Sequence, residues 1–194
     1  MIFFSSDTHF CDDASLTMDY RPFANCKSFN KHIVKTWNKT AKRGDVVYFL
    51  GDFASCKGAN DKTWQNGLAI VKKLKADIVL ILGNNEQRII KHFFEDDFEK
   101  FKDFCKFLGF KDVLKNHTLI LAEKEFYLTH KPTDFKEGSI NLFGHTHRSC
   151  GIYKNFGLNV GCDLHHFQPV SEIEIFRLLE MKSKYWDNDK NVNI

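Results

Sequence analysis

Five short stretches carry side chains able to bind a metal or move a proton: Asp7-Thr8-His9, Gly51-Asp52, Gly83-Asn84-Asn85-Glu86, Thr129-His130 and Gly144-His145-Thr146-His147. Carboxylate, imidazole and amide oxygen together form a mixed nitrogen and oxygen donor set. Such a set suits Mn, Fe, Co, Ni or Zn rather than the all-oxygen cages of Mg or Ca. No thiolate takes part, which disfavours a structural Cys-rich zinc site. Taken singly each stretch is a weak signal, because D-x-H and G-D arise by chance and a lone strand histidine such as His130 is ordinarily a packed residue. Order and placement carry the weight. Each stretch follows an apolar run, as residues at strand ends that carry chemistry often do, so all five can converge at one sheet edge.

The elements that must position them can be read from periodicity. Ile2 to Ser5, Val46 to Leu50 and Ile78 to Leu82 are short buried-strand runs. Between them, Ser28 to Lys42 repeats apolar residues at helical spacing (Phe29, Ile33, Val34, Trp37, Ala41) and Trp64 to Lys75 suits a second helix. Strand, polar tip, helix, strand is a βαβ rhythm. A charged helical stretch follows Glu86 to about Leu108. The pattern then turns β-rich, with segments at Leu119 to Ala122, Phe126 to Thr129, Ile140 to Phe143, Leu158 to Val160 and Ile173 to Phe176. A β/α half joined to a β-rich half predicts two packed sheets flanked by helices, within one domain over residues 1–185 and a polar tail over 186–194.

In this order the five stretches resemble the calcineurin-like metallophosphoesterases, whose pattern is D-x-H, G-D, G-N-H-[DE], H and G-H-x-H. The resemblance runs from Ile2 to Gln168 and is greatest to short, uncapped prokaryotic and phage members. These also carry counterparts of Arg21-Pro22-Phe23, Asn159-Val160-Gly161-Cys162-Asp163 and Pro169-Val170-Ser171. It implies an α/β fold, a four-layer α/β/β/α sandwich with two mixed sheets. It further implies two divalent metal ions, Mn first and Fe, Ni, Co or Zn as alternatives. Asp7, His9 and His147 would bind one ion, Asn84, His130 and His145 the other, and Asp52 would bridge both. Two cations about 3.5 to 4 Å apart can share a water, lower its pKa and stabilise charge on the attacking and leaving oxygens of a phosphate ester.

One position departs from the family pattern: Asn85 stands where the family has its catalytic histidine. An amide can donate a hydrogen bond but cannot supply a proton. Three accounts follow: an activated leaving group such as a phosphoanhydride or aryl alcohol, a substitute acid such as His165 or His166, or low activity on ordinary esters. The resemblance extends to members that lack this histidine and cleave the pyrophosphate of nucleotide-linked lipids, which favours an anhydride. The expected catalytic set is then Asp52, Asn84, Asn85 and His145. The expected substrate contacts are Arg21, Asn84, Asn85 and His165, with loop anchoring as the alternative for Arg21 and turn capping as the alternative for His165.

Composition narrows the rest. The 28 basic and 25 acidic residues are mixed along the chain for a net charge of +3, without the basic block of a protein that lives on nucleic acid. No apolar run approaches the length of a membrane helix. Six cysteines with no C-x-x-C pair suggest reduced, mostly buried thiols and a cytoplasmic protein. Glu95-Asp96-Asp97 suits a solvated helix start, the Phe-rich stretch from Phe93 to Phe110 suits core, and His32, His92 and His117 suit surface or packing roles. The expected activity is hydrolysis of a phosphodiester, phosphoanhydride or phosphomonoester on a small, nucleotide-like substrate. A nuclease acting on DNA or RNA ends, which would show a steep salt dependence, and a metal-binding interaction scaffold without turnover are the rivals.

Overall fold

The structure is a computed structural model describing residues 1–149, 151–153 and 157–184. Cys150 and the polar tail, residues 186–194, lie outside the described residues.

The first half follows the expected βαβ rhythm. β1 (Ile2–Ser5) is followed by α1 (Asp13–Met18), whose start is capped by the Asp12 carboxylate, and by α2 (Cys26–Thr40). The helix begins where Asn25 and Ser28 cap each other reciprocally, satisfying amides that no helical carbonyl can reach. β2 (Val46–Leu50) leads to α3 (Thr63–Leu68), which tightens into a 3₁₀ turn over Ala69–Lys73, and then to β3 (Asp77–Ile81). The long helical stretch expected after Glu86 is two helices, α4 (Asn84–Phe93) and α5 (Phe98–Leu108). Glu95 and Asp96 break it by taking positive φ, and the Asp97 side chain caps the second helix.

β4 (Asp112–Leu114) completes a sheet ordered β4, β3, β2, β1, all parallel. Its far edge is closed by an antiparallel strand from the C-terminal region. β5 (His117–Leu121), β6 (Lys124–Leu128), β7 (Ile140–Phe143), β8 (Ile152–Tyr153) and β9 (Gly157–Asn159) form a second mixed sheet, ordered β5, β6, β7, β9, β8. The closing strand of the first sheet is β10 (Val170–Ser171). One expected strand is corrected: Ile173 to Phe176 lies within α6 (Glu172–Lys182). The alternation of Ile173 and Ile175 imitates a strand, but the Ser171 hydroxyl accepts the Glu174 N–H and two glutamates occupy the first turn, both of which favour a helix start.

Alternation along the first sheet divides the core in two. Phe3, Val47, Phe49, Ile78, Leu80 and Val113 face the helices, whereas Phe4, Leu50 and Ile81 face Phe126, Leu128, Leu142 and Leu158 of the second sheet. α6 packs Ile175 and Phe176 into this second cluster, with the Phe176 ring edge-on to Phe126. The Phe-rich stretch is core apart from Phe107, which is exposed. Cys11, Cys26, Cys56, Cys105 and Cys162 are free thiols. Among the described residues no helix is long and apolar enough to cross a membrane.

Candidate metal centre

All five stretches begin within two residues of the C-terminal ends of β1, β2, β3, β6 and β7. Parallel pairing puts those ends on one side of each sheet, and backbone bonds tie the tips together. Asp7 N–H donates to Gly51 O at 3.0 Å, His9 N–H to Asp52 O at 3.0 Å, and Gly144 N–H to His130 O at 2.9 Å. The two sheets meet where the His145 N–H donates to Asp7 Oδ2 at 2.9 Å and His130 Nδ1–H donates to Leu50 O at 2.8 Å.

The turns are tight. Asp7, His9, Asp52, His145 and His147 all have φ between 47° and 67°, a left-handed region that Asp and His enter more readily than most residues but that still costs about 1 kcal/mol or more each. Gly51, with φ of 85°, leaves room for neighbours that a Cβ would meet at 2.5 Å (His130 Nδ1) and 2.6 Å (Gly83 Cα). Gly83 plays the same part toward Asp52, whose backbone N a Cβ would meet at 2.5 Å.

Seven expected ligands come together. His9 Nε2 lies 3.6 Å from Asp52 Oδ2 and 4.0 Å from Asp7 Oδ1, and His147 Nε2 lies 3.8 Å from the same Asp7 oxygen. On the other side of Asp52, His130 Nε2 lies 3.7 Å from Oδ1, 3.0 Å from Asn84 Oδ1 and 3.1 Å from His145 Nδ1. Asp52 therefore stands between a cluster of Asp7, His9 and His147 and a cluster of Asn84, His130 and His145. In the first, Asp7 and His9 are buried and His147 is half-buried; the second opens outward through exposed His145.

Three of the four imidazoles are held through the ring nitrogen that faces away from the cluster. His130 donates from Nδ1 to a carbonyl, which leaves Nε2 with its lone pair inward. His9 Nδ1 bonds Ser55 Oγ at 2.9 Å, and His147 Nδ1 faces Asp19 Oδ2 at 3.1 Å and Asp163 Oδ2 at 3.4 Å. Outer partners of this kind orient ligating histidines. Burial pushes the His9 imidazole down, and likewise His145. For His147 burial is outweighed by Asp163 and Asp19, and its pKa rises to about 10. For His130 burial is outweighed by Asp7 and Asp52, and it too is raised.

A metal fits these residues. Asp7 Oδ1 and His9 Nε2 are buried and have no hydrogen-bond partner, a costly state that a coordinated cation would relieve. Both atoms point into the cluster, and the donor chemistry is the borderline nitrogen and oxygen set of the divalent transition metals.

Three residues expected to contact substrate have their polar groups engaged within the protein. Arg21 takes the loop-anchoring alternative. Its side chain is wholly buried, donating from Nε and Nη2 to Asp163 at 2.8 and 2.7 Å, and to the carbonyls of Thr8 (2.9 Å) and Asp7 (2.6 Å). It anchors the turn that carries Asp7 and His9. His165 donates from Nε2 to Asn159 O at 2.9 Å and lines a separate cavity with Met1, Phe3 and Thr40, as does His166, so neither stands at the cluster as a substitute acid. Asn85 is buried: its N–H and Nδ2 donate to Asp52 Oδ1 and Oδ2 at 2.8 and 2.6 Å, and its Oδ1 accepts the Cys56 N–H at 2.9 Å. Its amide orients the central carboxylate.

Sequence reasoning assigned no role to Glu86, Asp19, Asp163 or Asn159. Buried Glu86 accepts the N–H groups of Asp52 (2.8 Å), Phe53 (2.9 Å) and Gly83 (2.8 Å), clamping two strand tips. Burial first, then the Asp52 charge, raises its carboxyl to about 7. Asn159 Nδ2 donates to the His147 carbonyl and Thr146 Oγ1. Glu86, Asn159 and Asp163 all lie inside recognised sequence segments, which was their only signal.

A model of calcineurin-like phosphoesterases matches residues 1–149. The chain belongs to the calcineurin-like phosphoesterase family. An uncharacterized protein of Methanocaldococcus jannaschii is 29% identical over 189 residues, covering 92% of this chain and 91% of that one. The crystal structure of a protein of unknown function from Aquifex aeolicus superposes with a TM-score of 0.67 at 25% identity, covering 92% and 98% of the two chains. A nuclease of Pseudomonas putida is more distant, with a TM-score of 0.45, 15% identity and coverage of 75% and 61%. Membership of the family supports a metal-dependent phosphoesterase.

Proposed function

We propose that this calcineurin-like phosphoesterase hydrolyses a phosphate ester or anhydride of a small, nucleotide-like substrate at a dinuclear centre. Asp7, His9 and His147 would hold one divalent ion and Asn84, His130 and His145 the other, with Asp52 shared and Mn the first candidate. The observation that carries the proposal is the position of Asp52, each of whose oxygens lies within 4 Å of an imidazole from a different cluster. When bound, the two cations supply the Lewis acidity that activates water and neutralises phosphate charge.

The chain's own groups set up that chemistry. Asn85 and Glu86 fix Asp52 and its backbone from below. His130 keeps its proton on Nδ1 through Leu50 O, and exposed His145 lies where a phosphate can approach. With Asn85 committed to Asp52 and both His165 and His166 at a separate cavity, none of the substitutes considered for the family's histidine stands at the cluster. A substrate with a good leaving group, a phosphoanhydride or aryl ester, suits such a site. Free thiols accord with a reducing, cytoplasmic setting.

The test is turnover by Mn-reconstituted protein on bis-p-nitrophenyl phosphate, p-nitrophenyl phosphate, cyclic nucleotides and dinucleoside polyphosphates, with Asp52→Asn as control. Metal-dependent turnover that disappears in Asp52→Asn is the expected result. Two bound metals without turnover on any substrate would point instead to an interaction scaffold.

A further inference from the structure

Beside the Asp7, His9 and His147 cluster runs a cleft of about 310 Å³ lined by His9, Ser55, Asn85, His147, Lys57 and Arg88 among others. Two cations border it, and they differ in what their charge already does. Lys57 Nζ sits 2.7 Å from Asp12 Oδ1, so its charge is largely answered. Arg88 is exposed and makes no hydrogen bond or ion pair among the described residues. It lies three residues beyond Asn85 on α4, a spacing that puts both on one helix face. The acids of the cleft have partners of their own, Asp12 in Lys57 and Asp19 in His147 and Arg21. A guanidinium with an unused planar fork, at the rim of a cleft that leads to a metal-binding cluster, is suited to grip a phosphate.

We propose that Arg88 is a substrate-binding residue that receives a second phosphate, so that the preferred substrates are phosphoanhydrides in which one phosphate meets the metal centre and the next lies in this cleft. The inference rests on the dinuclear hydrolase reading and narrows its substrate class. The cleft volume suits a small anionic group. Arg88 also provides positive charge on the helix face where Asn85 provides none, and it is missing from any reading of the five motif stretches.

The test compares Arg88→Ala and Arg88→Lys with the unaltered protein on two substrates, a dinucleoside polyphosphate and bis-p-nitrophenyl phosphate, which has no second phosphate. In parallel, calorimetry measures binding of α,β-methylene-ADP at fixed free Mn. A charge-assisted pair is worth about a 10- to 100-fold change. Arg88→Ala should raise KM for the polyphosphate and weaken the analogue by that factor, and leave bis-p-nitrophenyl phosphate nearly unchanged. Arg88→Lys and added guanidinium should each restore part of the loss. Equal effects on both substrates, or none on analogue binding, would overturn the role of Arg88. Absence of turnover in the unaltered protein would count against the hydrolase reading alone, because the calorimetric comparison would still decide on Arg88.

Discussion

Replacing Asp163 with Asn should destabilise the protein and loosen the Asp7, His9 and His147 cluster while sparing the other side of Asp52. The Asp163 and Arg21 side chains are both without solvent exposure and meet through two bonds of 2.8 and 2.7 Å. Removing one partner of a buried pair costs about 3–5 kcal/mol. A second route gives a lower figure. Burial raises the Asp163 carboxyl, but His147 and Arg21 prevail and hold it at about 2, below the ordinary 3.8, a gap that corresponds to about 2 kcal/mol. Asn keeps an acceptor for Arg21, and Asp19 Oδ2 remains 3.7 Å from Nη2, so we expect about 2–3 kcal/mol. Because Asp163 also orients His147, the ion proposed for the Asp7, His9 and His147 cluster should bind about 10- to 100-fold more weakly. Urea unfolding of the metal-free proteins at neutral pH and Mn titration with mass-spectrometric metal counting would measure both. The sign with pH follows from a depressed carboxyl: its stabilisation is complete above the ordinary 3.8 and is lost as pH falls through about 2. The difference between the two proteins should therefore shrink as pH drops below about 4. A variant within roughly 0.5 kcal/mol of the parent, with Mn bound at unaltered stoichiometry and affinity, would refute the anchoring role of Asp163.

Gly83→Ala should cost about 1–3 kcal/mol and reduce Mn binding, because the new methyl would press on Asp52 Oδ1 and Glu86 Oε2. Gly151→Ala, whose Cβ would meet Leu164 Cδ1 at 3.7 Å and nothing nearer among the described residues, should be neutral; thermal unfolding of both variants compares them, and equal melting temperatures would contradict the packing reading. Chelation should lower the melting temperature by about 5–10 °C relative to protein with Mn at a hundred times its dissociation constant, and re-addition should restore it. A melting curve indifferent to chelator would count against a metal that binds only the folded protein.

Local sequence determined the ends of β1, β2, β3 and β7, to within a residue, because short runs such as Val46–Leu50 are apolar throughout and stop abruptly at polar or glycine residues. The candidate ligands sit just past those ends, so parallel pairing puts them on one side of each sheet, and the meeting of the two sheets brings them together. α6 reads as a strand because its first residues satisfy both a strand's alternation and a helix's face; the Ser171 cap and acidic first turn favour the helix, and Phe176 packs it against Phe126. The residue types at the candidate metal centre were legible; the direction of the surrounding side chains was not. Arg21 could have served substrate or loop, and the buried Asp163, 142 residues away in sequence, turns it inward. His165 and Asn85 were likewise claimed by Asn159 O and Asp52, partners that no local pattern specifies. Spacing cannot encode which of several polar groups a donor will meet, because that depends on where distant strand tips come to rest. Tertiary structure alone therefore decided which residues could hold a metal and which hold those candidate ligands in place.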